Sequence, residues 1–305
     1  MFPSAFVRIT LELHGRTGQT WLDNLPNFLA EYAQRWRLTL LPPFPNLTYN
    51  YVAPAVREDG TAVVLKVGII NPELQSEIAA LDHYAGRGAV RLLQADAENG
   101  IFLLQRVQPG HSLVPLQQTD DDAATRIAAE VMRQLWRPAP PAPYSFPTVA
   151  HWAAGLGRLR ERFDGRTGPF DAQLIETAES LFADLLASSA EPVLLHGDLH
   201  HDNILAAGDG WLAIDPKGVI GEPAYEVGAL LRNFWRGGET TAEIRRMLAR
   251  RIAIFSEMLG FDRQRLAAWG AAQAVLSAWW SYEDHGHGWE WGTAVAEALL
   301  PQIES

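Results

Sequence analysis

The distribution of strand-like and helical patterns constrains the fold more than any other feature of this sequence. Up to Gln105, two helical segments alternate with two pairs of β-rich runs, which are separated by Asp-Gly at 59–60 and Asn-Gly at 99–100. These dipeptides are typical of tight hairpins. Beyond His111 the pattern is helical, apart from one strand-loop-strand segment at residues 194–218. We therefore predict an α+β fold, in which a small antiparallel sheet with a packed helix precedes a mainly helical part.

Both helical segments of the N-terminal part carry start signals. Residues 22–38 place apolar side chains at helical spacing, and Pro26 is suited to the first turn. In the second segment Asn71 is predicted as the N-cap, Pro72 takes the first helical position, and Gly86 ends the helix. Helical patterns in the C-terminal part cover residues 120–136, 148–163, 171–186, 224–235, 241–259, 262–282 and 289–303.

Composition narrows the class of protein. The chain has 305 residues and a formal net charge of −11, and this length predicts about two domains or lobes. Clustered Lys and Arg bind nucleic acid, so an acidic chain argues against that partner and is compatible with a cationic small molecule. Cysteine is absent, which excludes disulfide and thiolate chemistry.

The sequence also bears on location. No apolar run approaches the roughly 18 residues that a membrane span needs. The start of the chain lacks the basic and apolar regions of a signal peptide. We therefore expect a cytoplasmic protein without a membrane partner, and the sequence does not indicate an oligomeric state.

A polar cluster lies within the strand-loop-strand segment LLHGDLHHDNILAAGDGWLAIDPKG. The flanking apolar runs predict two short strands, which would bring Asp198, Asn203 and Asp215 to one end of a hairpin. Carboxylate and amide oxygens are suited to Mg²⁺, and a second carboxylate nearby can accept the proton of a hydroxyl group. Phosphoryl transfer needs this arrangement, because its catalysis depends mainly on positioning and charge neutralisation.

Two other interpretations of the cluster stay open at this point. The first is a polar loop without chemical function. The second is a metallohydrolase, since imidazole suits zinc. The spacing of its candidate ligands matches no helical or strand-based histidine motif that we can place, which disfavours this second interpretation. Those candidate ligands are His196, His200, His201 and Asp202.

The sequence HGDLHHDNIL followed by IDPKG resembles the catalytic loop and the metal-binding Asp of the aminoglycoside phosphotransferase-like kinases, which are relatives of the protein kinases. The resemblance implies a protein-kinase-like, two-lobed fold. It implies that Asp198 orients and deprotonates the acceptor hydroxyl, and that Asn203 and Asp215 hold Mg²⁺ ions that bridge the phosphates of ATP. His196 matches the histidine that braces this loop.

The same resemblance calls for a Lys on a strand of the N-terminal lobe and a Glu on the following helix. Lys66 lies in the apolar run AVVLKV, and Glu77 falls where the family has its ion-pair Glu. Glu73, one turn earlier, is the alternative partner. A lone Lys in a strand is also typical of an edge residue whose ammonium group reaches water. The two matches in the expected order favour the nucleotide-binding interpretation.

The run FLLQRVQPG resembles the family's hinge, which implies that backbone groups around Gln105 and Val107 hydrogen-bond the adenine. The implied division is a nucleotide-binding lobe at 1–105, a hinge at 106–111 and a helical lobe at 112–305 with the catalytic loop and the acceptor site.

The sequence departs from the kinase pattern where the phosphates of ATP would be held. The run NLTYNYVAPAV, where kinases place a Gly-rich loop, contains no Gly, so how the phosphates are held stays open.

The resemblance leaves the roles of two charged residues after Asp215 to be decided, Lys217 and Glu226. Lys217, directly after the Asp-Pro pair, either contacts the transferred phosphate as a point charge or pairs with Glu222 at the surface. Glu226 lies where many family members have an Asp that braces the catalytic loop, so we interpret it as structural.

The run DPKGVIGEP is similar to the streptomycin 6-kinase and hydroxyurea kinase branch of the family, as are several other segments along nearly the whole chain. This resemblance implies transfer from ATP to a hydroxyl of a small molecule, most simply an aminoglycoside of the streptomycin type. Glu283 and Asp284 are the candidate contacts for a cationic acceptor. The neighbouring tryptophans are better explained as core: Trp279, Trp280, Trp289 and Trp291. The alternatives are a metabolic sugar or amino-alcohol kinase and a nucleotide-binding pseudokinase.

Overall fold

The computed structural model describes residues 2–141, 146–233 and 238–303. The chain separates into two compact units, Met1–Gly110 and His111–Ser305. This division falls within the segment 106–111 that the family resemblance implies as a hinge. Each unit contributes its own set of buried apolar residues.

The first unit begins with a long helix, α1 (Ser4–Arg35). The prediction of a helix that begins near Pro26 is wrong, because Pro26 lies inside α1 and the helix starts well upstream. Gly15 interrupts the helix with φ 52° and ψ −125°, a conformation that glycine adopts without a Cβ clash. Apolar side chains before the proline, such as Phe6 and Leu22, are buried in one core cluster with those after it. This shared burial holds the helix together across the proline, which removes one backbone donor.

A sheet of antiparallel strands follows α1. The strands are β1 (Leu38–Leu40), β2 (Tyr51–Arg57), β3 (Ala62–Val67), β4 (Leu92–Asp96) and β5 (Ile101–Gln105). Within the described residues this sheet has five strands in the order β1-β2-β3-β5-β4. Both predicted hairpins are confirmed, since Gly60 (φ 83°) lies between β2 and β3 and Gly100 (φ 66°) lies between β4 and β5. Positive φ at these glycines is the conformation that tight hairpin turns require.

One helix, α2 (Pro72–Tyr84), connects β3 with β4. Its predicted start is confirmed, because the Asn71 side chain accepts a hydrogen bond from the Leu74 N–H at 2.8 Å. Pro72 takes the first helical position, where its missing donor costs nothing. Gly86, with φ 81°, follows the last turn as predicted.

Alternation along β3 sorts its side chains between the two faces of the sheet. Leu65 and Val67 join the core cluster that contains the apolar face of α1. Lys66 lies on the opposite face, where its cross-strand neighbour on β5 is Phe102. The ammonium of Lys66 lies 5.8 Å from the centroid of that ring, so Lys66 is a central-strand residue and not an edge residue.

The second unit is mainly helical, as predicted. Its described helices are α3 (Val114–Thr119), α4 (Asp121–Leu135), α5 (Val149–Ala153), α6 (Gly155–Arg162), α7 (Ala172–Ala187), α8 (Val227–Arg232), α9 (Thr241–Leu259), α10 (Arg263–His285) and α11 (Glu290–Leu299). The pattern at 148–163 is split between α5 and α6, and the pattern at 224–235 begins with a 3₁₀ turn and ends outside the described residues. Of the described helices, α10 contributes the most buried residues, and it packs against α7, α8 and α11. Among the described residues, no helix combines the length and the apolar character that a bilayer span requires.

Six short strands complete the described part of the fold: β6 (Pro109–Ser112), β7 (Arg137–Pro138), β8 (Val193–Leu195), β9 (Ile204–Ala207), β10 (Gly210–Ala213) and β11 (Val219–Gly221). They form two small sheets, ordered β10-β9-β6 and β11-β8-β7. The prediction that one hairpin carries Asp198, Asn203 and Asp215 is therefore only partly right. Asn203 and Asp215 flank the β9–β10 hairpin, but Asp198 follows β8, which pairs with β11. The pairing of β8 with β11 joins segments that are distant in the sequence, so the apolar runs alone did not reveal it.

Two adjacent acidic residues at the start of α4 form ion pairs of different kinds with α9. Asp121 accepts hydrogen bonds from Arg251 at 3.0 and 2.5 Å, and the Arg251 side chain is 0% exposed. Asp122 pairs with Arg250, whose side chain is 62% exposed. Burial raises the pKa of Asp121, but the hydrogen bond and charge of Arg251 outweigh it and hold this pKa below its usual value. The helical pattern at 120–136 predicts α4 but carries no signal for this cross-helix pairing.

This difference in burial predicts unequal effects of two neighbouring substitutions. Asp121→Asn removes the carboxylate charge that faces the buried guanidinium of Arg251, and we expect it to lower the free energy of unfolding by about 3 kcal/mol. The matched control Asp122→Asn breaks an exposed pair and should change stability little. Denaturant unfolding of the whole chain measures both values, and equal effects of the two substitutions would contradict the assignment of the buried pair.

Candidate active site

The loop of residues 196–203, called the catalytic loop here after the family motif that it resembles, starts at the end of β8 and is held there by a buried carboxylate. Glu226 accepts the N–H of His196 at 2.7 Å and the N–H of Gly197 at 2.9 Å. Its side chain is buried, and burial raises its pKa to about 7 although both N–H groups act to lower it. The interpretation of Glu226 as a brace agrees with these bonds.

Gly197 occupies a position that no other residue fits. Its φ is 85°, and a Cβ atom there would lie 2.7 Å from the ring of Trp152. The left-handed backbone directs the chain out of β8 and into the catalytic loop. The residue before Asp198 is therefore packed tightly against an aromatic side chain of α5.

His196 connects this loop with the segment that carries Asp215. Its Nε2 lies 2.7 Å from the carbonyl oxygen of Ile214, and its Nδ1 accepts the N–H of Asp198 at 3.2 Å. The two partners require a neutral ring with the proton on Nε2, and burial lowers the pKa of His196 to about 4. The His196 carbonyl also accepts the N–H of Lys217 at 2.8 Å. The family resemblance implies this bracing role.

Asp198 has one carboxylate oxygen occupied by a cation. Its Oδ1 accepts a hydrogen bond from Nη2 of Arg232 at 2.9 Å, and its Oδ2 lies 3.8 Å from Nε2 of His200. Burial raises the pKa of Asp198, but the charges of Arg232, His200 and Lys217 outweigh it and hold this pKa below the usual range. The carboxylate is therefore ionised and can accept a proton.

Arg232 is the contact of Asp198 that the sequence analysis missed. It lies in the last turn of α8, far from the motif along the chain. A basic residue at the end of a helix is ordinarily explained by the helix dipole. No spacing signal marks it, because its contact with Asp198 depends on the packing of α8 and not on the local sequence.

Asn203 and Asp215 lie at the same end of the β9–β10 hairpin. The Ile214 N–H donates to the carbonyl of Asn203 at 2.9 Å, which extends the hairpin pairing by one step. The amide nitrogen of Asn203 donates to the Asp198 carbonyl at 3.0 Å and lies 3.2 Å from Nε2 of His200. This orientation leaves Oδ1 of Asn203 as the oxygen that can bind a cation.

Asp215 has a strained backbone. Its φ is 58°, in the left-handed region that residues other than glycine rarely adopt. Such strain is common at functional sites and is maintained by surrounding contacts. Here the Ile214 carbonyl and the Lys217 N–H on either side are both bonded to His196. An amide oxygen and a carboxylate at one hairpin end form a donor set that fits Mg²⁺.

The zinc-site interpretation finds no support in the described residues. They contain no group of three or more His, Cys, Asp or Glu side chains placed to hold a metal ion. His196 uses both ring nitrogens within the fold. His201 is buried, and its Nδ1 lies 3.2 Å from the carbonyl of Asn233. The predicted histidines therefore serve the backbone of the loop and its neighbours.

In the first unit, Lys66 and Glu77 form a buried ion pair. Nζ of Lys66 lies 2.7 Å from Oε1 of Glu77, and both side chains are less than a tenth exposed. The pair joins the C-terminal end of β3 to α2. Glu73, the alternative partner, lies exposed in the first turn of α2.

The predicted adenine contacts and the suggested partner of Lys217 agree only in part with the structure. The N–H of Gln105 donates to the Arg91 carbonyl at 2.9 Å, so an adenine contact at Gln105 cannot use this group. Val107 lies after β5, half-buried. The carboxylate of Glu222 accepts Nε of Arg265 at 2.6 Å, and this partner suggested for Lys217 is thereby engaged by another cation.

The candidate acceptor residues lie at the end of α10. Glu283 accepts two hydrogen bonds from Arg158 of α6, both at 2.9 Å. Asp284 lies exposed beside it. Of the four tryptophans predicted as core, Trp279 is buried, whereas Trp280, Trp289 and Trp291 are only half-buried. Nε1 of Trp291 donates to the Arg232 carbonyl at 2.7 Å.

The family follows from comparison with known proteins. The sequence model of the aminoglycoside/hydroxyurea antibiotic resistance kinases matches residues 41–285. The chain belongs to this family. It is a small-molecule phosphotransferase, and the predicted family and class of enzyme are confirmed.

Its curated relatives act on different small molecules. The chain is 32% identical to the streptomycin 6-kinase of Streptomyces griseus, over 88% of this chain and 87% of the relative. It is 33% identical to the hydroxyurea phosphotransferase of Kitasatospora aureofaciens, over 98% of this chain and 85% of the relative. It is 31% identical to the streptomycin 3''-kinase of Klebsiella pneumoniae, over 82% of this chain and 91% of the relative.

Solved structures confirm the protein-kinase-like fold class. A choline/ethanolamine kinase family protein from Mesorhizobium loti matches with a TM-score of 0.60 and 14% identity, over 88% of both chains. An aminoglycoside phosphotransferase in complex with ADP and hygromycin B matches with a TM-score of 0.60 and 15% identity, over 90% of this chain and 98% of the other. At this identity the likeness concerns the fold.

Burial of Glu226 predicts a distinctive pH dependence of stability in this kinase. Between pH 4.5 and about 7 the folded chain retains a proton on Glu226 that the unfolded chain has released. The contribution of Glu226 to the free energy of unfolding therefore falls as the pH rises through this interval, by about 3 kcal/mol in total. The variant Glu226→Gln carries no such proton. We expect the free energy of unfolding of the wild type, minus that of the variant, to decrease from pH 5 to pH 8 in denaturant unfolding. A value that does not change with pH would contradict a raised pKa of Glu226.

Proposed function

We propose that this enzyme transfers the γ-phosphoryl group of ATP, with Mg²⁺, to a hydroxyl group of an aminoglycoside of the streptomycin type and so inactivates the antibiotic. The observation that carries the proposal is the catalytic loop, in which Asp198 has an ionised carboxylate and its backbone carbonyl accepts a hydrogen bond from the side-chain amide of Asn203. Two streptomycin kinases, each of which aligns with more than four-fifths of this chain, support the class of acceptor.

Asp198 is the proposed catalytic base. It orients the acceptor hydroxyl and takes its proton while the acceptor oxygen forms a bond to the γ-phosphorus. The bond from that phosphorus to the bridging oxygen breaks, and ADP leaves. Because Oδ1 of Asp198 is bonded to Arg232, Oδ2 is the oxygen that receives the proton. Asn203 and Asp215 would hold Mg²⁺, which when bound neutralises charge on the phosphates.

The first unit supplies the proposed nucleotide contacts. Lys66 anchors the phosphates and Glu77 fixes the position of its ammonium group, while backbone groups near Gln105 and Val107 contact the adenine. The connection between β1 and β2 replaces a Gly-rich loop, and it combines a buried Leu47 with exposed polar neighbours. Lys217, whose charge acts on Asp198, is proposed to contact the transferred phosphate.

The second unit supplies the proposed acceptor contacts. Glu283 and Asp284 suit a cationic acceptor, and the net charge of −11 favours its approach. Since Arg158 already pairs with Glu283, an acceptor cation must displace this guanidinium or share the carboxylate with it. We also propose that the enzyme works in the cytoplasm.

Hydroxyurea is a second candidate acceptor. The relative that phosphorylates it matches 98% of this chain, and hydroxyurea offers a hydroxyl group on a small neutral molecule. A pseudokinase is disfavoured, because Lys66, Asp198, Asn203 and Asp215 are all present.

An ADP-release assay with Mg-ATP tests the proposal across streptomycin, other aminoglycosides, hydroxyurea and simple sugars. We expect streptomycin to stimulate ADP release, and Asp198→Asn to lower this turnover at least about a hundredfold because the hydroxyl loses its positioned base. Asp209→Asn, in the exposed β9–β10 turn, is the matched control and should retain activity.

The outcomes separate the hypotheses. Stimulation by hydroxyurea alone would replace the acceptor and keep the reaction. Nucleotide binding without stimulation by any compound would overturn the aminoglycoside proposal. Near-normal turnover of Asp198→Asn would overturn the assignment of the base.

The Lys66–Glu77 pair allows stability and nucleotide binding to be separated. Lys66→Met leaves a buried carboxylate without its ammonium partner, and we expect it to lower the free energy of unfolding by about 3 kcal/mol. The double variant Lys66→Met/Glu77→Leu removes both charges and should recover much of this loss. If Lys66 anchors the phosphates, the double variant is stable but binds ATP weakly in calorimetry. Tight ATP binding by this variant would contradict the role of Lys66.

A further inference from the structure

The last turn of α8 is held by side chains from three other parts of the second unit. The carbonyl of Leu230 accepts Nη1 of Arg251 at 2.5 Å, and the carbonyl of Arg232 accepts Nε1 of Trp291 at 2.7 Å. The end of a helix leaves its last carbonyls without helical partners. Here α9 and α11 satisfy two of them, which fixes the direction in which α8 ends.

A third bond ties this turn to the catalytic loop itself. Nδ1 of His201 lies 3.2 Å from the carbonyl of Asn233. Because a carbonyl oxygen can only accept a hydrogen bond, Nδ1 carries the proton and is the donor in this contact. The catalytic loop and the end of α8 therefore keep a fixed separation.

The side chain of Arg232 is confined in the same way. It is 12% exposed, and its Nε lies 3.4 Å from Oε1 of Gln273 on α10. Gln273 is itself buried and donates to the Tyr225 carbonyl at 3.4 Å. A Cβ atom at Gly228 would lie 2.4 Å from Oε1 of Gln273, so a glycine on α8 makes room for this amide.

We propose that Arg232 is a positioning residue of the phosphotransferase, which holds Oδ1 of Asp198 so that Oδ2 faces the acceptor hydroxyl. This inference rests on the proposed role of Asp198. An unheld carboxylate rotates about χ2 and presents either oxygen, whereas the bond to Arg232 selects one. The guanidinium in turn keeps its place through Gln273 and the bonds at the end of α8.

Two effects of Arg232 on Asp198, the fixing of its position and the weakening of it as a base, predict opposite changes in turnover rate when Arg232 is removed. The positive charge of Arg232 makes Asp198 a weaker base, so a rate limited by base strength rises without it. Phosphoryl transfer passes through a loose transition state, in which placement of the attacking oxygen matters more than removal of its proton. The rate then falls, because the hydroxyl loses its fixed partner.

The first test compares kcat and KM of Arg232→Ala with those of wild type. We expect kcat to fall roughly a hundredfold while KM for ATP stays unchanged, and Arg232→Lys to recover part of the loss. Free guanidinium at non-denaturing concentration should restore turnover to Arg232→Ala, whereas urea and sodium chloride should not. Arg250→Ala, an exposed arginine of α9, is the control and should match wild type.

Turnover of Arg232→Ala equal to or above that of wild type would overturn the inference, as would a loss that guanidinium does not restore. A second measurement keeps the inference testable if the wild type phosphorylates none of the acceptors, which would overturn the proposed function. A double-mutant cycle of Arg232→Ala and Asp198→Asn in denaturant unfolding measures whether the two side chains interact. Coupling between them supports the pairing without reference to activity, and additive effects overturn it.

Discussion

The catalytic loop depends on one buried carboxylate. Glu226 binds two successive N–H groups where the chain leaves β8, at a point where the backbone has left its sheet and would otherwise lose those bonds. A buried donor without a partner is costly, so this contact decides whether the loop keeps its shape. Burial of the carboxylate is itself unfavourable, as its raised pKa shows. The fold therefore gives up stability at Glu226 to fix the conformation of the loop.

The loop joins two small sheets, and this explains how the candidate groups are brought together. Asp198 follows β8, whereas Asn203 and Asp215 flank the hairpin of β9 and β10. His196 bonds to the backbone on both sides of Asp215 and so links the sheets at the point where the chemistry is proposed. These bonds fix the backbone that carries the candidate side chains, as expected where catalysis depends on positioning.

Local signals in the sequence predicted those features that depend on a few neighbouring residues. The hairpin glycines and the Asn71 cap were found because backbone conformation and capping are set within one turn. Pro26 misled the prediction of α1, since a proline typical of a helix start lies inside a helix that core packing stabilises. The pairing of β8 with β11 and the contact of Arg232 with Asp198 were missed because both join distant segments.

Helix α10 carries a residue that contacts Arg232 and a proposed acceptor contact, at separate positions along its length. Gln273, near its middle, holds Arg232, and Glu283, near its C-terminal end, pairs with Arg158. Ten helical residues separate the two positions by about 15 Å, which exceeds the distance of about 8 Å over which physiological salt screens exposed charges. A substitution that alters the charge at Glu283 is therefore largely screened at Gln273, the residue of α10 that contacts Arg232. If Glu283 contacts the acceptor as proposed, selection for a new acceptor can change this end of the helix in single steps and leave the contact between Gln273 and Arg232 unaltered.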